Sequence, residues 1–176
     1  MAIGYTAPVL QYTTVVSEVE TAAILKWDNR VGEAADAANQ GVRCPAGAQV
    51  EGFGAIITEA ITNANAQHCT LKCQVVAYEG ASAVTAGTMT LPKDSTEAQT
   101  STNKTFPTDR TGAQAVAVGA RLFSPTIYQI PPGGFVYLEI TTGAGAVGGA
   151  IRGFLLLRPN AEPGAVTASP VTVLNS

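Results

Sequence analysis

Charge is scarce in this 176-residue chain: 13% of its residues are charged, about half the usual ~25%. Aromatic residues are scarce as well, at 6%. The net charge is −3, which excludes a nucleic-acid binder that works by neutralising phosphates, since that function leaves a strong basic footprint. Long apolar runs are missing. The longest run of large apolar residues is Phe154-Leu155-Leu156-Leu157, against the about 20 residues a membrane-spanning helix needs. The N-terminus, Met1-Ala2-Ile3-Gly4-Tyr5, has neither a basic stretch nor an apolar stretch of signal-peptide type, so no secretory signal is expected. Only 3 cysteines are present, Cys44, Cys69 and Cys73, and an odd number argues against a fully paired framework. Cys69 and Cys73 lie four apart in a strand-like segment, on one face and roughly 13 Å apart. A disulfide needs Cα atoms within about 7 Å, so free thiols in a reducing compartment are expected.

Reactive constellations are equally thin. His68 is the sole histidine, so any histidine-based triad has to be built around it alone. Cys44, His68, Cys69 and Cys73 add up to four zinc-ligand types. However, His68 and Cys69 are neighbours that face opposite sides of a strand, and no C-x-x-C pair exists. Gly143-Ala144-Gly145-Ala146-Val147-Gly148 is a literal G-x-G-x-x-G. A dinucleotide site also requires a helix starting at the motif and a further parallel strand, and the next segment is strand-like and short. Gly80-Ala81-Ser82-Ala83-Val84 lacks the closing glycine of a nucleophile elbow, and no P-loop is present. Glu51, Glu59 and Glu79 lie on expected strands, but nothing singles out a carboxylate pair. The expectation is therefore no catalytic residue, no cofactor and no metal.

What the chain does have is apolar content, 46%, arranged with a short period. Alternation runs through Ala115–Val118 and Phe135–Ile140, and threonine and valine suit a pleated surface. Turn signals punctuate these runs: Cys44-Pro45-Ala46-Gly47, Glu79-Gly80, Leu91-Pro92-Lys93-Asp94 and Pro131-Pro132-Gly133-Gly134. This pattern predicts an all-β fold, a jelly-roll-like β-sandwich of about eight strands with extended terminal arms. Strands are expected near 21–27, 48–59, 70–79, 86–91, 113–120, 122–130, 134–142 and 150–158. Residues 32–40 fit one or two helical turns, and 55–67 fit either a strand or a helix. Trp27, Tyr78 and Tyr128 fall on expected strands and are read as core. Residues 90–112, polar and rich in Ser and Thr, are expected as an exposed loop. Between Thr111 and Ile151 the only charges are Arg121 and Glu139, which suggests an interaction surface.

The ends differ from the middle. Residues 1–20 are rich in Thr, Val and Tyr with little turn punctuation, and 159–176 carry three prolines with no lysine or arginine after Arg158. Both read as arms around a body at 21–158, because such proline spacing suits an extended segment rather than a central strand. The candidate partner-contacting residues are the apolar and aromatic side chains of these arms: Tyr5, Val9, Tyr12, Val15, Val166, Val171 and Val173.

The segment Ile130-Pro131-Pro132-Gly133-Gly134-Phe135-Val136-Tyr137-Leu138-Glu139-Ile140, a glycine-rich loop, and then Gly149–Pro159 resembles the last hairpin of small β-sandwich decoration or cement proteins of tailed bacteriophages. The resemblance covers about 30 residues. It implies a body on the outer capsid lattice, made in the host cytoplasm, often trimeric, that bridges neighbouring subunits of the major capsid protein. It carries no catalytic residues and implies no nucleic-acid or membrane partner. The competing expectation is a glycan- or receptor-binding module of a phage tail or fibre, which exposed aromatics on a loop rim would favour.

Overall fold

A computed structural model describes residues 9–19, 22–63, 69–91, 104–106, 118–141 and 147–160. The described chain forms ten strands: β1 (Leu10–Glu18), β2 (Ala23–Ile24), β3 (Val42–Cys44), β4 (Ala48–Asn63), β5 (Thr70–Val76), β6 (Val84–Thr90), β7 (Lys104–Phe106), β8 (Arg121–Ile130), β9 (Gly134–Thr141) and β10 (Val147–Pro159). A short helix, α1 (Ala37–Gln40), precedes β3. No helix among the described residues is long and apolar enough to cross a membrane.

One sheet runs β1-β10-β4-β8-β7 and the other β2-β9-β5-β6, with β3 also on β9. All strand pairings among the described residues are antiparallel, and one set of them is nested. The first strand meets the last, β2 and β3 meet β9, β4 meets β8, and β5 meets β6. A long hairpin folded over on itself in this way is a jelly roll, so the fold is the all-β sandwich that the alternation predicts.

Period-2 patterning builds the interior. Leu71, Cys73 and Val75 of β5, and Val136, Leu138 and Ile140 of β9, point inward at alternate positions. From the other sheet come Phe53, Ala55 and Ile57 of β4 and Ile151, Leu155 and Leu157 of β10. Cys69 and Cys73 share the inward face and are buried, as is Cys44, and none of the three is in a disulfide. Burial pushes the Cys73 thiol up to about 12 and that of Cys44 to about 11, so neither is a nucleophile near neutral pH.

Several expectations are redrawn. Residues 55–63 are strand, not helix, because Ile57 and Ile61 face the core at strand spacing. Of the strand expected at 113–120, residues 113–117 lie outside the described residues; Val118 and Gly119 form a turn before β8. Within the polar 90–112 stretch, Lys104–Phe106 pairs with β8 and extends the sheet. Tyr78 is not core: it follows β5 in the hairpin turn and is 67% exposed. Trp27 and Tyr128 do pack on the core. The segment read as an N-terminal arm enters the sheet from Leu10 onward, because β1 supplies the outer partner that β10 needs. The last residues of the G-x-G-x-x-G motif, Val147 and Gly148, begin β10 and pair with Asn63 and Thr62, so the motif runs into a strand rather than opening a helix.

Candidate functional site

Leu10, the first residue of β1, lies opposite Leu157 near the end of β10. The described body therefore starts and finishes at the same end of the sandwich, where two turns close the neighbouring strands. In Pro131-Pro132-Gly133-Gly134 the Gly134 N–H donates to the Pro131 carbonyl at 3.0 Å. Gly133 has φ +82°, the left-handed position a type II turn requires after Pro132. In Cys44-Pro45-Ala46-Gly47 the Gly47 N–H donates to the Cys44 carbonyl at 2.9 Å. The turns are laced together: the Gly133 N–H also reaches the Cys44 carbonyl at 3.0 Å. A Cβ on Gly47, itself at φ +79°, would meet the Ile130 carbonyl at 2.7 Å.

The end of β10 is tied into the same knot. The Asn160 N–H donates to the Gly47 carbonyl at 3.1 Å. The Gln129 side-chain amide donates to Asn160 Oδ1 at 3.2 Å and to the Ala48 carbonyl at 3.1 Å. Beside this knot opens a groove of about 210 Å³ whose walls include Tyr12, Val42, Cys44, Ala48, Leu157 and Pro159. Tyr12 sits with its ring 6.1 Å from Trp27 in an edge arrangement. Burial raises its phenol pKa, with the nearby Cys44 adding to the rise and Arg30 opposing it.

Only part of the predicted contact set can be placed. Tyr5, Val166, Val171 and Val173 lie outside the described residues. Val9 is exposed just ahead of β1, and Tyr12 lines the groove. Val15 is half-buried, and its N–H donates to the Lys26 carbonyl at 2.9 Å. That bond belongs to a bulge in which the chain at Lys26-Trp27 covers the β1 edge, and Thr14 Oγ1 accepts from the Gly153 N–H at 2.8 Å. Val15 is thereby taken up within the body and is not a free edge for strand addition.

The groove walls from β3 and from residues 45–48 were missed by the sequence reading. Their signal is the Cys44-Pro45-Ala46-Gly47 turn, which reads as punctuation and not as a surface.

A second apolar surface covers the outer face of the β1-β10-β4-β8 sheet. Phe123 and Phe154 stack with ring centroids 6.3 Å apart over Gly54, where a Cβ would meet the Phe154 ring at 2.4 Å. The Arg121 guanidinium lies 4.9 Å over the Phe154 ring, and its buried Nε has no hydrogen-bond partner among the described residues. Farther along β8, Ile127 is 79% exposed. Arg121 and Glu139, the two charges of the uncharged region, stand on the outer faces of opposite sheets.

Neither surface assembles reactive groups. Glu51 is paired with Arg158 at 2.7 Å and Glu79 with Arg43 at 3.7 Å, and Glu59 sits farther along β4 from Glu51. No three His, Cys, Asp or Glu side chains come together as a metal site among the described residues; His68 lies outside them. What the arrangement can do is bury apolar side chains and add hydrogen bonds to main chain. No family model matches the chain, and no curated protein matches it in sequence.

Proposed function

We propose that this protein is a structural virion protein, a decoration or cement protein that binds the outer capsid lattice of a tailed bacteriophage and bridges neighbouring subunits of the major capsid protein as a homotrimer. The observation that carries this reading is that the described body begins at β1 and finishes at β10 at one end of the jelly roll, beside an apolar groove. Two apolar arms issuing from one pole of a rigid body can grip a lattice while the body stays outside it. Jelly rolls recur in viral capsid and lectin domains, which is agreement at the level of fold alone. Such a protein raises shell stability by binding the assembled lattice in preference to free subunits, and a trimer multiplies weak contacts into avidity. The low charge and the exposed Ile127 on the outer face of the β1-β10-β4-β8 sheet suit nearly neutral contact.

The test is to mix the purified protein with preformed expanded capsids. The expected result is saturable binding and a higher capsid melting temperature; no binding at micromolar protein rejects the reading. One observation favours a glycan-binding tail or fibre module instead: Tyr78 stands exposed on the β5–β6 turn, where a ring can stack on a sugar. Retention on host polysaccharide, lost in Tyr78→Ala and without capsid binding, would select that reading.

A further inference from the structure

We infer that the outer face of the β1-β10-β4-β8 sheet carries a carboxylate-binding site, built on Arg121 and Arg152, that takes an acidic side chain of a protein partner. The inference stands on two unpaired guanidinium groups and the cavity beside them, and it does not rest on the capsid reading.

Five arginines fall within the described residues, and three of them are answered. Arg30 donates to the Asn39 and Gly41 carbonyls at 2.7 and 2.9 Å. Arg43 pairs with Glu79, and Arg158 with Glu51. The other two, Arg121 and Arg152, pair with no acid among the described residues. Both stand in one row of the sheet: Ile56 of β4 lies opposite Arg152 of β10 on one side and Arg121 of β8 on the other. Their neighbours Ile151 and Leu122 are fully buried in the core, so the two arginines face outward. Their backbones are two strand spacings apart, roughly 10 Å. Glu18 and Glu59 lie farther along, opposite Ala150, and Glu51 is held by Arg158.

Arg121 says more about the ligand. Its guanidinium lies 4.9 Å over the Phe154 ring, an attraction to the ring face that uses none of its N–H donors. Its Nε is buried and has no hydrogen-bond partner among the described residues. A buried charged donor in that state is costly, and an acceptor brought by a partner removes the cost. The acceptor has a place to stand, because a cavity of about 230 Å³ is lined by Arg121, Phe123, Phe154, Leu156 and Gln11.

The lining selects the acceptor. A carboxylate is planar, meets the guanidinium fork with two parallel hydrogen bonds and carries a single charge. Phe123, Phe154 and Leu156 give its stem apolar contact. A phosphate dianion needs more donors than this apolar wall supplies. A sugar needs an open ring face, whereas Phe154 is 3% exposed and lies under the guanidinium. At about 230 Å³ the space falls short of the ~300–1,000 Å³ of small-molecule sites. It suits an acidic side chain with one apolar neighbour. Arg152 gives a second acid on the same partner segment its own contact.

The test follows the arginine Nε–H signals of the full chain by NMR while acetyl-leucyl-glutamate amide is added, with the Arg121 signal identified by its loss in Arg121→Gln. The expected result is a saturable shift of the Arg121 signal, with acetyl-leucyl-glutamine amide binding about tenfold more weakly. Arg152→Gln leaves Arg121 in place and should weaken binding of the glutamate peptide several-fold, which keeps the test readable if Arg121→Gln does not fold. No shift with the glutamate peptide overturns the inference. So does equal binding of the glutamine peptide, or tighter binding of inorganic phosphate or galacturonate than of the glutamate peptide. An Arg121 Nε–H that is already coupled, in the free protein, to one of the chain's own carboxylates overturns it as well. The peptide reads this site alone, so capsid binding can fail without touching it.

Discussion

On the outer face of the β2-β9-β5-β6 sheet, Val76, Phe135 and Tyr137 form an apolar cluster that the chain covers itself, with Ile24, Ala37 and Ala81 packed on it. On the outer face of the other sheet, the Phe123–Phe154 stack carries an arginine above it, and Ile127 stands open. The difference comes from what each connection can anchor. The β2–β3 connection carries Gln40, which is fully buried and fully bonded. Its side-chain oxygen accepts from the Trp27 N–H at 3.0 Å, and its amide donates to the Arg30 and Ala34 carbonyls at 3.2 and 3.1 Å. The Trp27 indole N–H donates to the Gln40 carbonyl. Asp36 caps α1 by accepting from the Asn39 N–H at 2.8 Å. That pegged connection holds Ala37 on the covered face. Farther along the same sheet, Glu139 accepts from Gln74, whose carbonyl oxygen accepts from Thr85. One face is thus finished by local polar chemistry; on the other, Phe154 is buried under the Arg121 guanidinium and Ile127 is the side chain that stands open.

Breaking the peg tests this contrast most strongly. Trp27→Ala removes a buried ring and the indole donor to the Gln40 carbonyl, and should cost about 3–5 kcal/mol in denaturant unfolding. A loss below 1 kcal/mol would mean that the cover is not anchored there. Gln40→Ala keeps the ring but leaves the Trp27 N–H unsatisfied, for an expected loss of about 1–3 kcal/mol. Proteolysis should then cut first within residues 28–41 if the cover lifts.

Alkaline titration approaches the same contrast from the buried protons. Burial, and then Glu139, raise the Tyr137 phenol above its ordinary 10.0, and burial lifts the Cys73 thiol from 9.0 to about 12. Raised values mean that the folded state holds these protons more tightly. Their contribution is therefore complete below pH 9 and is lost as pH rises toward 12. Each group steepens the fall by at most about 1.4 kcal/mol per pH unit. Denaturation midpoints at pH 8 and 10.5 should differ, and Tyr137→Phe should shrink the difference; a flat profile would contradict the burial of both groups. The smallest stability effect is expected on the open face. Ile127→Lys should change unfolding by less than about 0.5 kcal/mol while weakening capsid binding, and unchanged binding would remove that face from the proposed contact.

The sandwich was legible because alternation and turn residues act locally. Phe135–Ile140 and Pro131–Gly134 each announce their own structure. β1 and β3 were not legible, since what makes Leu10–Glu18 a strand is the free side of β10, a partner far along the sequence. Tyr78 misled for the same reason: the strand that holds Val75 and Val76 ends two residues before it, and nothing local marks the ring as outside. The groove was invisible because its walls come from β1, β3 and β10, and only the closing of the jelly roll brings Tyr12, Val42 and Leu157 together.

The pairing of Leu10 with Leu157 has one more consequence. A chain spliced across those positions by a short linker, and reopened at the exposed Tyr78–Gly80 turn, would retain every strand partner in a new order of synthesis. The molecule is topologically close to a ring, and its scaffold should accept circular permutation at the pole where its first and last strands adjoin.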